Sequence, residues 1–131
     1  MDREFLIKKA TSIFEGHEDV KLAYLFGSAA TGNTGPLSDY DFAVYLDTRN
    51  AARISQIKAA LFNELSQALT TDHLDIVILD AAESPELKYA IIKDGVLLCA
   101  RGDFKVMVEP RILNEYFDFM HLLRRHHLTR A

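Results

Sequence analysis

Apolar residues recur along the chain with two periods that take turns. Phe5, Leu6, Ala10, Ile13 and Phe14 follow a charged start at helical spacing, so Arg3 to Glu15 is predicted to be an amphipathic helix ended by Gly16. Val20 to Phe26 places Leu22, Tyr24 and Phe26 on one face of a strand and Ala23 and Leu25 on the other; both faces are apolar, which predicts a central strand. That run stops at Gly27-Ser28, ten residues rich in turn formers follow, and Asp39-Tyr40-Asp41 opens a second strand that runs from Asp41 to Leu46. Asp47 to Asn50 leads into a helix over about Ala51 to Leu69, with Ile54, Ile57, Ala60, Leu61, Leu65 and Leu69 in one stripe. Leu74 to Leu79 is a β-branched third strand, expected to be buried on both faces. Ser84-Pro85-Glu86 offers an N-cap, a proline at the first helical position and an acid in the first turn, so a helix is predicted from Pro85 to Lys93, before a short last strand, Val96 to Ala100. From Asp103 a helical tail follows, with Pro110 at its start or at a kink. Its apolar residues exceed one helical stripe, so the tail either packs on its own domain or turns part of itself to a partner.

Strands interleaved with helices in this order predict an α/β (α+β) fold. At 131 residues the chain, 1–131, is expected to form one domain. A net charge of -4 argues against direct, general nucleic-acid binding, which draws on an excess of Lys and Arg. Cys99 is the single cysteine and sits among apolar neighbours, which excludes an intrachain disulfide and predicts a buried structural thiol. No stretch reaches the ~20 apolar residues of a membrane span and the start has no signal-peptide pattern, so a cytoplasmic protein with no membrane contact is expected.

The candidate chemistry gathers at the acidic pair. Two carboxylates at i and i+2 on a strand share a face, and at roughly 6–7 Å and an effective dielectric of about 20 they repel by about 2–3 kcal/mol. A divalent cation with oxygen ligands would relieve that repulsion, and magnesium suits carboxylates shared with phosphates. Asp41 stands at the head of a buried run, where an unpartnered carboxylate is costly; Asp75, between Leu74 and Ile76, presents the same difficulty. Gly27 permits a sharp turn and close backbone approach, and Ser28 adds a hydroxyl donor.

Gly27-Ser28, ten residues and then Asp39-x-Asp41 resemble the G-S-x10-D-x-D signature of the nucleotidyltransferase superfamily related to DNA polymerase beta, with Asp75 in the setting of its third acid. By size the chain looks like a minimal nucleotidyltransferase (MNT), the antitoxin partner of HEPN-domain toxins. The resemblance implies a small mixed β-sheet flanked by helices, with the C-terminal helical tail at about 104–131. It implies that Asp39, Asp41 and Asp75 are catalytic and hold two Mg2+ ions, and that Gly27 and Ser28 grip the nucleotide phosphates. ATP would be the substrate and AMP the group transferred to a hydroxyl side chain, tyrosine for instance, of a cognate HEPN ribonuclease bound as a hetero-oligomer. Two other readings stand beside it: a non-catalytic antitoxin that works by occlusion, and transfer to a small molecule of aminoglycoside type.

Other polar residues have plainer readings. Arg124, Arg125 and Arg130 make a basic end that either complements a helix dipole or binds phosphate or an acidic partner surface, and the adjacent His126 and His127 chelate poorly because helical neighbours diverge by about 100°. His73 and His17 read as surface residues. Arg49, Arg53 and Lys58 read as a solvated face, with a nucleotide contact as the alternative, and Tyr40 reads as packing.

Overall fold

The computed structural model describes residues 2–31, 39–81 and 84–126. Its elements run α1 (Arg3–Glu15), β1 (Val20–Phe26), α2 (Ser28–Thr31), β2 (Tyr40–Leu46), α3 (Ala51–Leu69), β3 (Leu74–Ile78), α4 (Pro85–Asp94), β4 (Val96–Ala100) and α5 (Phe104–Arg125). The strands form one mixed sheet in the order β3-β2-β1-β4, with β1 antiparallel to both neighbours and β2 parallel to β3. β1 is central, as its two apolar faces require. Most of the ten-residue loop before β2 lies at 32–38, outside the described residues.

Each face of the sheet has its own core. Ala23 and Leu25 join Phe42, Val44, Leu46 and Ile76 beneath Leu6, Ala10 and Phe14 of α1 and Ile57, Leu61, Leu65 and Leu69 of α3. Leu22 and Tyr24 join Ala43, Tyr45 and Leu79 beneath Ile91 of α4 and Val108 and Ile112 of α5. A register irregularity between Val20 and Leu22 lets Val20 serve the first core although its parity matches the second. Asn50 caps α3, its side chain accepting from Arg53 N–H at 2.9 Å, and Ser84 caps α4 through Leu87 N–H at 3.1 Å. Cys99 is buried, as its neighbours predict. Burial pushes its thiol pKa up; Arg101 opposes that shift and Glu15 adds to it.

One expectation needs correction, and one pair of alternatives narrows. β3 is an edge strand and not a strand buried on both faces; its burial alternates, and Asp75 lies on the exposed side. The β-branched run misled because cover is complete only on the α3 face, where Leu74, Ile76 and Ile78 are buried; on the other face Val77 and Leu79 reach the α4/α5 core while Asp75 lies outside it. Of the two places expected for Pro110, the start is excluded: α5 begins at Phe104 and continues through Pro110 inside the helix. Part of the tail packs on α4, with Tyr89 and Tyr116 stacked at 3.9 Å, while Val106, Met107, Phe117 and Leu122 remain exposed. No helix among the described residues is long and apolar enough to cross a membrane.

Candidate active site

Strand register brings the acidic residues together. Phe26 of β1 is opposite Asp41 of β2, and Asp41 is opposite Asp75 of β3, so the three form one row across the sheet on the face shared by α4 and α5. Asp39 sits two residues before Asp41 on the approach to β2, its side chain 61% exposed. Gly27 follows Phe26 with φ of 73°, and a Cβ placed there would stand 2.6 Å from Asp41 Oδ2. Glycine is therefore required at 27 for both its backbone conformation and the space it leaves to the carboxylate. Ser28 opens α2, and Arg3 of α1 steadies that turn by donating to Ala30 O at 2.9 Å.

The electrostatics follow from this crowding. Burial pushes the Asp41 carboxyl above the ordinary aspartate range, and the charges of Asp75 and then Asp39 push it further. Two partial neighbours temper the cluster. His73 Nδ1 is 3.6 Å from Asp39 Oδ1, and Asp75 Oδ1 accepts a hydrogen bond from Ile76 N–H at 3.0 Å. His73 is thus a surface residue, as expected, but one beside an acid of the site.

Three hard carboxylate oxygen donors, the central one held above its ordinary pKa by burial first and by its acidic neighbours second, suit magnesium chemically. As they stand, no three acidic, histidine or cysteine side chains among the described residues are gathered closely enough to hold an ion. Asp75, engaged with its own neighbour's amide, would have to turn toward Asp41 to complete such a set.

Residues 8–104 match the family described as polymerase beta, nucleotidyltransferase. The chain belongs to that family. No curated protein matches it. Among solved structures, a toxin-antitoxin complex with AMP-PNP contains a chain at 24% identity and TM-score 0.69, with 95% of this chain and 94% of that one covered. A tri-AMPylated Shewanella oneidensis HEPN toxin in complex with its MNT antitoxin gives 22% identity, TM-score 0.66 and coverage of 95% and 94%. Another Shewanella oneidensis structure gives 19%, 0.66 and the same coverage. At these identities the likeness is one of fold, and a mixed sheet between helices is the nucleotidyltransferase arrangement the motif implied.

Several polar residues, near the candidate site and away from it, are silent in the sequence. Arg3 reads only as part of a charged helix start, and nothing in spacing marks its reach to Ala30. Lys88 is buried against Glu115 at 2.8 Å, although it reads as an ordinary helix lysine. Of the basic residues near α3, Arg53 pairs with Asp19 at 2.5 Å, and Arg49 lines a cleft at the far ends of β2 and β3. The basic tail is described only as far as His126.

Proposed function

We propose that this nucleotidyltransferase is the MNT antitoxin of a HEPN/MNT pair and transfers AMP from ATP to a hydroxyl side chain of a cognate HEPN ribonuclease toxin, tyrosine being the first candidate. The observation that carries this reading is the register pairing Asp41 with Asp75 beside a glycine turn packed on the Asp41 carboxylate. The neighbour that holds an AMPylated HEPN toxin lends support through its shared fold. A net charge of -4 fits a protein partner better than direct nucleic-acid binding, and the cytoplasm is the compartment such a pair would share.

In this reading Asp39, Asp41 and Asp75 would hold two magnesium ions, which when bound would neutralise the carboxylates and the nucleotide phosphates. Gly27 lets the backbone approach the β and γ phosphates, and Ser28 donates a hydrogen bond to them. Asp75 takes the proton of the acceptor hydroxyl. The hydroxyl oxygen forms a bond to the α phosphorus, the bond from that phosphorus to the bridging oxygen breaks, and pyrophosphate departs. The toxin gains bulk and negative charge where RNA phosphate would otherwise bind.

Intact-mass spectrometry of the toxin encoded beside this chain, after incubation with the protein, ATP and magnesium, tests the proposal. Mass gains in whole AMP increments are expected, and Asp39→Asn with Asp41→Asn should slow them on the order of 1000-fold while the fold persists. A toxin silenced at unchanged mass would establish occlusion instead and sink the catalytic reading.

A further inference from the structure

β3 closes one side of the sheet, and no described element pairs with its outer edge. Tyr40 N–H donates to His73 O at 3.0 Å and Leu79 N–H to Val44 O at 2.7 Å, so the odd-numbered residues from 73 to 79 turn their backbone toward β2. Leu74, Ile76 and Ile78 consequently turn theirs outward. Ile78 O is satisfied by Ala81 N–H at 3.0 Å. Among these outward N–H groups, that of Ile76 is held by the side chain of Asp75, the third acid of the site.

Resting on the function proposed above, we infer that this open edge receives an extended segment of the acceptor protein as a further strand, with its hydroxyl-bearing residue opposite Asp75. Residues opposite each other on adjacent strands have Cβ atoms about 4.5–5.5 Å apart and share a face. A residue opposite Asp75 therefore extends the Phe26–Asp41–Asp75 row, and a tyrosine laid across that face covers the further strand spacing of about 4.8 Å toward Asp41. Main-chain pairing supplies affinity without a large docking domain, as in other complexes built by strand addition.

The Asp75–Ile76 bond gives this docking a second consequence. A carbonyl of the incoming strand takes the Ile76 N–H and frees the Asp75 carboxylate to turn into the row beside Asp41. The acidic set that stands incomplete without the acceptor is completed by it. Linkage then requires that acceptor and cation tighten each other's binding. The opposite edge, on β4, lacks this coupling, because β1 and β2 separate it from Asp75. A charged residue on an edge strand also discourages chance pairing, so the experiment must separate admission of a strand from simple protection of the edge.

Residue-resolved amide hydrogen exchange on the full chain, alone and bound to the full-length toxin without ATP, reads the edge directly. The Ile76 and Ile78 amides are expected to slow by about tenfold or more in the complex. A complex that transfers AMP when ATP is added, yet leaves both amides exchanging as in the free protein, overturns the inference. Absence of both complex and transfer overturns the proposed function, and this inference with it. In a parallel titration of Mn2+ followed by electron paramagnetic resonance, the toxin should tighten binding several-fold in the wild type and not in Asp75→Asn; equal tightening in both refutes the release of Asp75.

Discussion

The same three strands present opposite characters at the two ends of one face. At one end Phe26, Asp41 and Asp75 lie in a row, with Asp75 exposed and Asp41 half-buried. Four residues along β2, about 13 Å away, Leu22, Tyr45 and Leu79 are all buried beneath α4 and α5. The covered end carries charges too, and it holds them in pairs such as Lys88 with Glu115 at 2.8 Å and Glu109 with Lys105 at 3.2 Å, with the Tyr24 hydroxyl donating to Glu109 at 2.5 Å. The open end sets like charges side by side. Paired charges hold an element in place, whereas a repelling set persists only where water or a cation can reach it. The apolar roof stops short of the carboxylates, so one end of the sheet carries stability and leaves the other free for chemistry.

The largest effect should come from breaking the roofed end. Leu22 is fully buried between the strands and α5, and Leu22→Ala is expected to cost about 3 kcal/mol, lowering the melting temperature by roughly 10 °C. Calorimetry measures the first, and Mn2+ affinity should stay unchanged; a matching loss of metal binding would mean that the two ends are not separable. Gly27→Ala strikes the open end. It forces a side chain into positive φ and a Cβ against Asp41 Oδ2, for a loss of about 2 kcal/mol with impaired nucleotide binding. Equilibrium denaturation and nucleotide titration check both. An alanine variant with full stability would show that the turn has room to relax.

These two residues also mark what could be read from the chain alone. Strand alternation assigns Leu22 to its face, and the place of Gly27 between an apolar run and a distant acidic pair marks it out, because local periodicity and turn chemistry act within a few residues. The apposition of Asp41 and Asp75 was legible as a requirement of the motif, though not as a register, since parallel pairing joins strands through a whole intervening helix. The exposure of Asp75 on one face of β3 is not legible, because a run of β-branched residues reads alike whether one or both faces are covered. Arg3, Lys88 and Glu109 were beyond reach: a long polar side chain bonds to whatever the fold brings near, and spacing does not record it.

A milder change tests how the roof is fastened. Tyr24 is 2% exposed, and burial, then its hydrogen bond to Glu109, raises its hydroxyl far above the ordinary range, so it stays a proton donor at any physiological pH. Tyr24→Phe deletes that donor and leaves the half-buried Glu109 with Lys105 alone. A loss of about 1.5 kcal/mol is expected by urea denaturation, typical for a hydrogen bond to a charged group. No loss would mean that apolar packing alone holds α5 to the sheet.

The smallest effect has the opposite sign. Because the folded Asp41 carboxyl titrates above the ordinary aspartate value, folding favours its protonated form. That contribution is fully present below about pH 4 and is lost as pH rises through the folded value, so at neutral pH the ionised carboxylate works against the fold. Asp41→Asn should therefore melt about 1–2 °C higher than the wild type at pH 7, with the gain fading toward pH 4. Magnesium should shrink the difference by stabilising the wild type alone, since the cation relieves the repulsion that the substitution removes. A lower melting temperature for Asp41→Asn at neutral pH would show that Asp41 supports the fold as an ordinary structural residue, and the division between a stabilising end and a repelling end would fail at its central side chain.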